Sequence, residues 1–414
     1  MPEIPHDGCP ESSLALIADP YGFIGRRCDR LGSDLFRTRL LLQTNICMRG
    51  PAAVELLCDQ TRFTRSGAVL SRFERTLTGV GGVQGLDGEA HLARKRYFTA
   101  LLTEPEATRL AEMSIGHLRA ASRRWPTRQS VVLYDEAREA ICRGVCEWAG
   151  VPVEESEYDS LTRDIAAMYE HAASVSLKHF GARMARRKRE QWIARMVREV
   201  RENRLRPPAG SALEAIATHR DSNGELLDAQ IAAVELLNVL RPVVAVAVYV
   251  TFAAIALHEH PECRESVVSG GDEYREMFAQ EVRRYYPFFP AVAGRVRDDF
   301  EWRGFHFPKG TRVILGLHAT NHDPAIWEAP GEFRPERFRN WNGDLYRLVP
   351  QGGGDREADH RCPGDRVSVE TIKAATKFLG EEIRFDVASP DLSLQMSKLP
   401  PLPRDRFLIR NVRV

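Results

Sequence analysis

The chain has 414 residues, of which 43% are hydrophobic and 28% are charged, and its formal net charge is +1. This composition is ordinary for a water-soluble globular protein with a large core, so we expect one domain over residues 1–414. The near-zero net charge excludes the simplest argument for a nucleic acid or a membrane as a partner, and we expect neither.

The N-terminal residues 1–8 are polar and lack the basic-then-apolar pattern of an export signal, which favours a cytoplasmic location. The eight cysteines are scattered without a Cys-x-x-Cys pair, so neither a disulfide framework nor a zinc knuckle is indicated. Cys142 and Cys146 are four residues apart on a predicted helix, and core packing is their simplest role.

A glycine-rich stretch at 79–91 raises the question of a phosphate-binding loop. It has neither the Gly-x-Gly-x-x-Gly spacing nor the Lys-Ser/Thr pair of such loops, and no predicted parallel-sheet unit surrounds it. A nucleotide site is therefore not expected here.

Most of the middle of the chain predicts helix, because long segments rich in Ala, Leu, Arg and Glu are bounded by Pro or Gly. These segments are 106–124, 135–150, 156–176, 183–204 and 228–259. Strand-like runs are short and too few for a large sheet, and they lie at 300–307, 313–317 and 407–414. The expected fold class is mainly α with a small β subdomain.

Residues 183–206 contain ten Lys or Arg and three Glu, which raises the possibility of nucleic-acid binding. No aromatic stacking platform interleaves with these charges, as it does in proteins that bind single-stranded nucleic acid. A solvated helix face is therefore the better interpretation.

The predicted helix around 232–258 contains Arg241-Pro242 among apolar residues. Proline removes a helix hydrogen bond and kinks the chain, which opens space beside it. A buried guanidinium is costly unless an anion meets it. The positions one helical turn away carry no acidic side chain, since they are Leu237, Asn238, Val244 and Ala245.

Two interpretations of Arg241 remain open: a distant Glu or Asp pairs with it, or the missing anion is the substrate. An apolar groove that ends in a fixed arginine fork selects a molecule with a hydrocarbon tail and a carboxylate head, and a fatty acid fits. The longest apolar run, 243–257, has 15 residues. This is shorter than the roughly 20 residues that cross a bilayer, so it predicts a buried core helix.

Three elements follow one another towards the C-terminus. They are Glu281-x-x-Arg284, Phe333-x-Pro335-x-Arg337-Phe338, and His360-Arg361-Cys362-Pro363-Gly364 at the start of a predicted helix over 365–382. A cysteine at a helix start can be held as a thiolate by free amides and the positive helix end, and is then nucleophilic or metal-binding. An isolated Cys-Pro-Gly can equally be a turn without chemistry.

Together the three elements resemble the proximal half of the cytochrome P450 family, in which a cysteine thiolate is the axial ligand of haem iron. The resemblance implies the P450 fold, a haem b cofactor (iron protoporphyrin IX) and Cys362 as the ligand of its iron. It also implies an ion-paired network that joins Glu281 and Arg284 to Arg337.

The usual Phe-Gly-x-Gly-x-His/Arg-x-Cys-x-Gly run of the family is altered here. Pro350-Gln351 stands where Phe is expected, and extra residues separate Gly354 from His360. That longer loop is typical of the peroxide-using fatty-acid hydroxylases. Arg241-Pro242 and the segments 82–88 and 283–292 are also similar to the bacterial fatty-acid α-hydroxylating peroxygenases of the Sphingomonas type.

The resemblance implies further site residues. Positively charged or imidazole side chains that match propionate-facing positions are Arg65, His91, Lys95, Arg96, Arg295 and His360. Gln84 matches a position that separates hydroxylases from an alkene-forming decarboxylase with His, and so implies hydroxylation. Thr78 stands where mixed α/β-hydroxylating enzymes have an aromatic residue, which favours attack at Cα. Phe288 and Phe289 are predicted to line the substrate channel, although simple core packing explains them equally well.

The implied oxidant is hydrogen peroxide, with no redox partner protein. Cleavage of the peroxide O–O bond needs a group that moves a proton from one oxygen to the other, and no acid stands beside Arg241-Pro242. A fatty-acid carboxylate held by Arg241 can do this, and its position then limits attack to Cα or Cβ. Two other functions remain open: a reductase-dependent monooxygenase, and a haem-based sensor without catalytic activity.

Overall fold

The structure, a computed structural model, describes residues 3–174 and 176–414. The predicted polar segment 1–8 and the predicted helix 156–176 each include residues that lie outside these ranges. Within the described chain, long helices build the main body and short strands form a smaller β region.

The α-helices, numbered in chain order, are α1 (Ser13–Ala18), α2 (Gly22–Leu31), α3 (Pro51–Cys58), α4 (Ser71–Phe73), α5 (Gly88–Leu101), α6 (Glu104–Ser122), α7 (Leu133–Ala149), α8 (Tyr158–Glu170), α9 (Leu177–Arg201), α10 (Ala212–Thr218), α11 (Ala229–Ala245), α12 (Ala247–Glu259), α13 (Pro261–Ser269), α14 (Gly271–Tyr285), α15 (Leu317–Asn321) and α16 (Asp365–Lys377). Two π-helical turns extend α4 and α16, over Glu74–Thr78 and Phe378–Glu382.

The strands are β1 (Leu35–Leu40), β2 (Gln43–Met48), β3 (Phe63–Thr64), β4 (Val131–Val132), β5 (Ala291–Val296), β6 (Phe300–Trp302), β7 (Phe305–Phe307), β8 (Arg312–Gly316), β9 (Arg384–Val387) and β10 (Leu408–Arg413). They form a five-stranded sheet in the order β1-β2-β8-β5-β3, a three-stranded sheet β4-β10-β9, and the hairpin β6-β7. Only the β2–β8 pairing is parallel in the larger sheet.

The mainly α prediction with a small β part is confirmed, but four strands of the larger sheet, β1, β2, β3 and β5, were not predicted. β1 and β2 pair with each other through a tight hairpin, while β5 pairs with β8 across a longer connection. β1 alternates buried side chains with exposed Arg37 and Arg39, so its apolar content is low. The predicted strand 300–307 is in fact the two short strands of the β6-β7 hairpin.

The apolar run in the middle of the chain is buried, as predicted. The continuous helical stretch Ala229–Glu259 is apolar enough to cross a membrane, but 94% of its most apolar window is buried within the protein. The helix does not end at Pro242: α11 continues to Ala245, and the interruption comes at Val246. Proline removes only the backbone bond to the residue four positions earlier, and the buried neighbours of α11 hold the helix across that gap.

The basic helix α9 differs from the predicted solvated face at two positions. Arg186 is 1% exposed and donates from Nε to Glu190 at 2.6 Å. Arg189 is also buried, and its Nε donates to Asp164 at 2.7 Å. Both guanidinium groups are therefore paired inside the protein, whereas the other basic residues at the start of α9 are exposed.

Candidate active site

Arg241 lies in the buried middle of α11 without a partner for its charge. The residue is 8% exposed, its Nε has no acceptor, and it forms no ion pair within the described parts of the chain. Burial lowers the pKa of Arg241 to about 9, and the positive charge of Arg186 adds to this effect. Since this pKa is still well above 7, the guanidinium is charged at neutral pH. No described Glu or Asp neutralises it, so the described protein does not itself supply an anion for this buried charge.

Cys362 lies three residues before the start of α16. Gln351 is close to its sulfur: Nε2 lies 3.9 Å from Sγ and donates to Ser368 Oγ at 3.1 Å, while Oε1 accepts from Arg283 at 3.1 Å. The residue that replaces the family's phenylalanine therefore contacts the sulfur through a polar amide. Sequence reasoning noticed this replacement but did not predict the contact.

Burial raises the pKa of the Cys362 thiol, and the carboxylate of Asp365 raises it further, while the backbone N–H of Gly364 lowers it. Nearby Lys95 and Arg283 also lower this pKa, so the helix start and these two cations act against the desolvation of the sulfur. A metal cation bound to the sulfur removes its proton outright.

A buried ionic network fixes the segment that precedes the cysteine loop. Both carboxylate oxygens of Glu281 accept from Arg284, at 2.7 and 2.8 Å, and Oε1 also accepts from Arg337 at 3.2 Å. Arg284 continues to the backbone oxygens of Asn321, Pro330 and Glu332. Glu281 and Arg284 are 0% exposed, and the predicted network among the three charged residues is confirmed.

Replacing Glu281 by glutamine is expected to destabilise the protein by about 3–5 kcal/mol, because two buried arginines lose their anion. Chemical denaturation followed by far-UV circular dichroism measures the change. Glu273→Gln, an exposed position on the same helix, is the matched control and is expected to change stability by less than about 0.5 kcal/mol. Equal stability of the two variants contradicts a structural role for the network.

Four basic or imidazole side chains surround the loop of Cys362. Lys95 is 2% exposed and donates to the backbone oxygen of Arg361 at 3.0 Å. The rings of His91 and His360 stack with centroids 3.9 Å apart. Arg65 donates to the backbone oxygen of Ala293 at 2.7 Å. Burial and the neighbouring cations lower the pKa of His91 to about 4 and that of Lys95, through burial, to about 8.

Two further residues were predicted to face the carboxylates of the cofactor, Arg96 and Arg295. Arg96 is exposed, because it follows Lys95 directly on α5 and therefore points to another face of the helix; its contact with the cofactor stays a prediction. Arg295 donates to the backbone oxygens of Gly310 at 2.8 Å and Gly67 at 3.2 Å. It stays a predicted contact of the cofactor.

A family model described as Cytochrome P450 matches residues 273–379. Among characterised proteins, the chain is 31% identical over 179 residues to Rhazimal synthase of Alstonia scholaris and 38% identical over 144 residues to Cytochrome P450 3A15 of Cavia porcellus. These alignments cover 37% and 34% of this chain, but only 35% and 28% of the length of the two relatives.

Solved structures match nearly the whole chain. Cytochrome P450SP alpha (CYP152B1) in complex with (R)-ibuprophen is 44% identical and superposes with a TM-score of 0.96 over 98% of this chain and 100% of that chain. The chain belongs to the cytochrome P450 family. Cytochrome P450EX alpha (CYP152N1) with myristic acid is 39% identical, with a TM-score of 0.96 and full coverage of both chains. Ligand-free cytochrome P450 OleT is 30% identical over 99% of both chains, with a TM-score of 0.95. This P450 belongs with the CYP152 peroxygenases, which are haem-thiolate enzymes that use peroxide.

The residues of this P450 fit a haem. The buried Nδ1 of His91 and Nε2 of His360 have no hydrogen-bond partner among the described residues. Lys95 and Arg65 place positive charge beside them, and neither forms an ion pair with a carboxylate of the described residues. A bound porphyrin would bring two carboxylates as partners for these groups, and Cys362 would supply the sulfur for its iron.

A second group of contacts surrounds Gln84, outside the loop of Cys362. Gln84 is exposed, and its Oε1 accepts from Asn238 Nδ2 at 3.3 Å. The same Nδ2 donates to Glu235 at 3.1 Å, and Glu235 accepts from Arg94 at 2.7 Å. Glu235 is 0% exposed and also accepts from the backbone of Val83. The buried carboxylate of Glu235 therefore connects the loop of Gln84 to α11 and α5.

Glu235 lies on a different face of α11 from Arg241, and the sequence motifs did not point to it. An acidic residue inside an otherwise apolar helix was the available signal, since such a residue needs a partner.

Thr78 is half-buried at the end of the π-helical turn Glu74–Thr78. Arg186 clamps this turn, because its Nη1 donates to the backbone oxygen of Leu77 at 2.6 Å. Gly79 follows with φ of 81°, and a Cβ there would lie 2.3 Å from Arg186 Nη2. Glycine is needed at this position, and the tight approach fixes where the turn presents Thr78.

The two phenylalanines of the predicted channel lie against different cores. Phe288 stacks on Tyr249 with ring centroids 4.4 Å apart and packs against the helical core. Phe289 packs against the core of the larger sheet. Each ring thus packs against a core, and both residues stay predicted channel residues.

Proposed function

We propose that this P450 hydroxylates long-chain fatty acids, chiefly at Cα, with hydrogen peroxide as oxidant. The observation that carries the proposal is Arg241, a buried guanidinium without an anion among the described residues. Its relative cytochrome P450EX alpha has been solved with myristic acid, a fatty acid. A carboxylate with an apolar tail matches both the charge of Arg241 and the apolar helix around it.

Haem b, held through Cys362 with Arg65, His91, Lys95, Arg295 and His360 around its carboxylates, supplies the oxidising chemistry when it is bound. Arg241 holds the substrate carboxylate beside α11. Because this position has no protein acid, the substrate carboxylate takes a proton from one oxygen of the peroxide and returns it to the leaving oxygen. Pro242 withdraws a backbone donor next to Arg241 and so shapes the space for the head group.

The position of attack follows from the anchored head group. Only the carbons next to the carboxylate can come close to the oxidant, so the far end of the chain is excluded. Gln84 presents its side-chain amide to the same space and favours hydroxylation over loss of the carboxylate as carbon dioxide. Thr78 and Phe288 bound the first part of the hydrocarbon chain, and the small Thr78 favours Cα over Cβ.

The remaining properties are part of the same proposal. The enzyme works as one domain over residues 1–414, located in the cytoplasm, and needs no redox partner protein. In this scheme the substrate carboxylate replaces the proton delivery that a reductase-driven enzyme performs with its own acid and alcohol side chains.

One incubation tests the proposal. Purified haem-loaded protein is mixed with hydrogen peroxide and a long-chain fatty acid, and the products are identified by mass spectrometry. We expect the 2-hydroxy acid from the free acid and no product from its methyl ester, which cannot pair with Arg241. Turnover only with a reductase and NADPH supports a monooxygenase instead, and no product under either condition, with no spectral response to the acid, supports a sensor.

Asn238→Leu is expected to lower kcat/KM about three- to tenfold and to raise the share of the 3-hydroxy acid, since Gln84 loses one hydrogen bond that fixes it. The ratio of 2-hydroxy to 3-hydroxy product, measured by gas chromatography with mass spectrometry, is the readout. Gln230→Leu removes a comparable amide bond, to Glu190, at the exposed start of α11 and serves as the control. The idea fails if both variants give the wild-type ratio.

A further inference from the structure

The first turns of α9 expose an apolar stripe that lacks a partner in the described protein. Leu177 is 89% exposed, Phe180 63% and Met184 46%, and their spacing of three and four residues places them on one side of the helix. The opposite side of α9 is buried through Ala182 and Arg186. These large apolar side chains are therefore presented outward by a firmly packed helix, not by a loose end.

Positive charge flanks this stripe. Lys178, Arg183 and Arg187 are exposed and form no ion pair with any described residue. No acidic side chain occurs between 176 and 189, so nothing local balances them. An apolar stripe bordered by Lys and Arg is the pattern of a helix that lies in the interface of an anionic bilayer.

Hydrogen bonds connect the helix that carries this stripe to the turn of Thr78, which is a wall of the proposed substrate pocket. Arg186, on the buried side of the same turns, donates to Leu77 in the turn that carries Thr78. His179 Nε2 lies 3.5 Å from Thr76 Oγ1, and Arg72 donates to the backbone oxygen of Ser174. Val80, just beyond that turn, is 59% exposed. The turn that α9 holds in place is thus followed by another exposed apolar side chain.

We propose that the first turns of α9, with Leu177, Phe180 and Met184 between Lys178, Arg183 and Arg187, dock reversibly on an anionic lipid surface. Long-chain fatty acids partition into bilayers, so this contact places the pocket wall against the phase that holds the substrate. The role of this contact in supplying the substrate rests on the proposed function, whereas the lipid contact itself does not. The net charge of +1 did not indicate it, because acidic residues elsewhere offset this local cluster.

Vesicle binding tests the contact directly. The haem-loaded protein is sedimented with vesicles of phosphatidylcholine alone and with vesicles of equal parts phosphatidylcholine and phosphatidylglycerol. We expect binding to the anionic vesicles that weakens with salt. Phe180→Ser is expected to reduce the partition coefficient about tenfold, and Arg183→Gln combined with Arg187→Gln about twentyfold or more, since each cation contributes about fivefold.

Val268→Ser and Arg123→Gln are the matched controls. Val268, on α13, is an apolar residue that is 51% exposed, and Arg123, just after α6, is an exposed arginine. Both are expected to bind like the wild type. Equal binding of all variants, or no preference for anionic vesicles, overturns the proposal. Self-association that Phe180→Ser abolishes, without vesicle binding, also overturns it and assigns the stripe to a second copy. Vesicle binding without fatty-acid turnover overturns only the proposed function.

Discussion

Arg241→Ala is expected to lower kcat/KM for fatty acids by about a thousandfold or more. A buried charge pair with an anionic ligand accounts for part of the loss, and the general acid–base step that the bound carboxylate performs accounts for the rest. Arg241→Lys keeps the charge but not the planar fork, so we expect intermediate activity with a raised KM. Steady-state kinetics with peroxide and a long-chain acid measure both variants.

Binding must be separated from folding in this experiment. Arg241 is buried without a protein partner, so its removal leaves no described carboxylate unpaired, and the variant is expected to fold and to take up haem. We expect the haem absorption of the variant to be normal and its change on addition of fatty acid to be absent. Arg123→Ala, at an exposed position, is expected to behave as the wild type. Retention of full activity by Arg241→Ala refutes the anchoring role.

Cys362→Ala is expected to abolish peroxide-driven hydroxylation and the thiolate-type absorption of the carbon monoxide complex. No other described cysteine can replace this sulfur, since Cys362 alone sits at the start of α16 beside Gln351. The electron donation that favours O–O cleavage in thiolate-ligated haem proteins is lost with it. Absorption spectra of the reduced protein with carbon monoxide give the readout.

Cys58→Ala is a matched control for this variant. Its sulfur contacts the same loop, with Sγ 3.6 Å from the backbone oxygen of Gly353, and burial raises the pKa of its thiol to about 12. This thiol donates to a backbone carbonyl oxygen, so its sulfur is already hydrogen-bonded within the protein. We expect Cys58→Ala to keep the thiolate-type spectrum, and an unchanged spectrum in Cys362→Ala shows that the ligand is misassigned.

The environment of Gln351 bears on how strongly the sulfur donates electrons. A hydrogen-bond donor near a thiolate withdraws charge from it, and Arg283 behind the amide strengthens the donor. The family's phenylalanine cannot do this. This difference was visible in the sequence as a departure from the usual motif, but only the structure shows that an amide and an arginine lie in its place.

Local patterns were sufficient for the elements whose partners are close in sequence. Glu281 and Arg284 are one helical turn apart, and their pairing with Arg337 followed from the resemblance to known P450s. The apolar run that became α11 and α12 was long enough to identify as a core helix. The charge of Arg241 in that run, with no acidic residue one turn away, left two interpretations open: a distant acidic partner or an anionic substrate. In the described residues no acidic side chain pairs with it.

The amino-acid sequence thus determined the fold class, the position of Cys362 before a helix and the charge of Arg241 inside an apolar helix, because each depends on spacing along one helix or one short loop. Only the tertiary structure decided that Glu235 joins Arg94, Asn238 and Val83, that Arg186 clamps the turn of Thr78, and that Arg96 faces solvent. These contacts join residues that are far apart in the chain. Their geometry depends on how whole helices pack against one another, which periodicity and motif spacing do not encode.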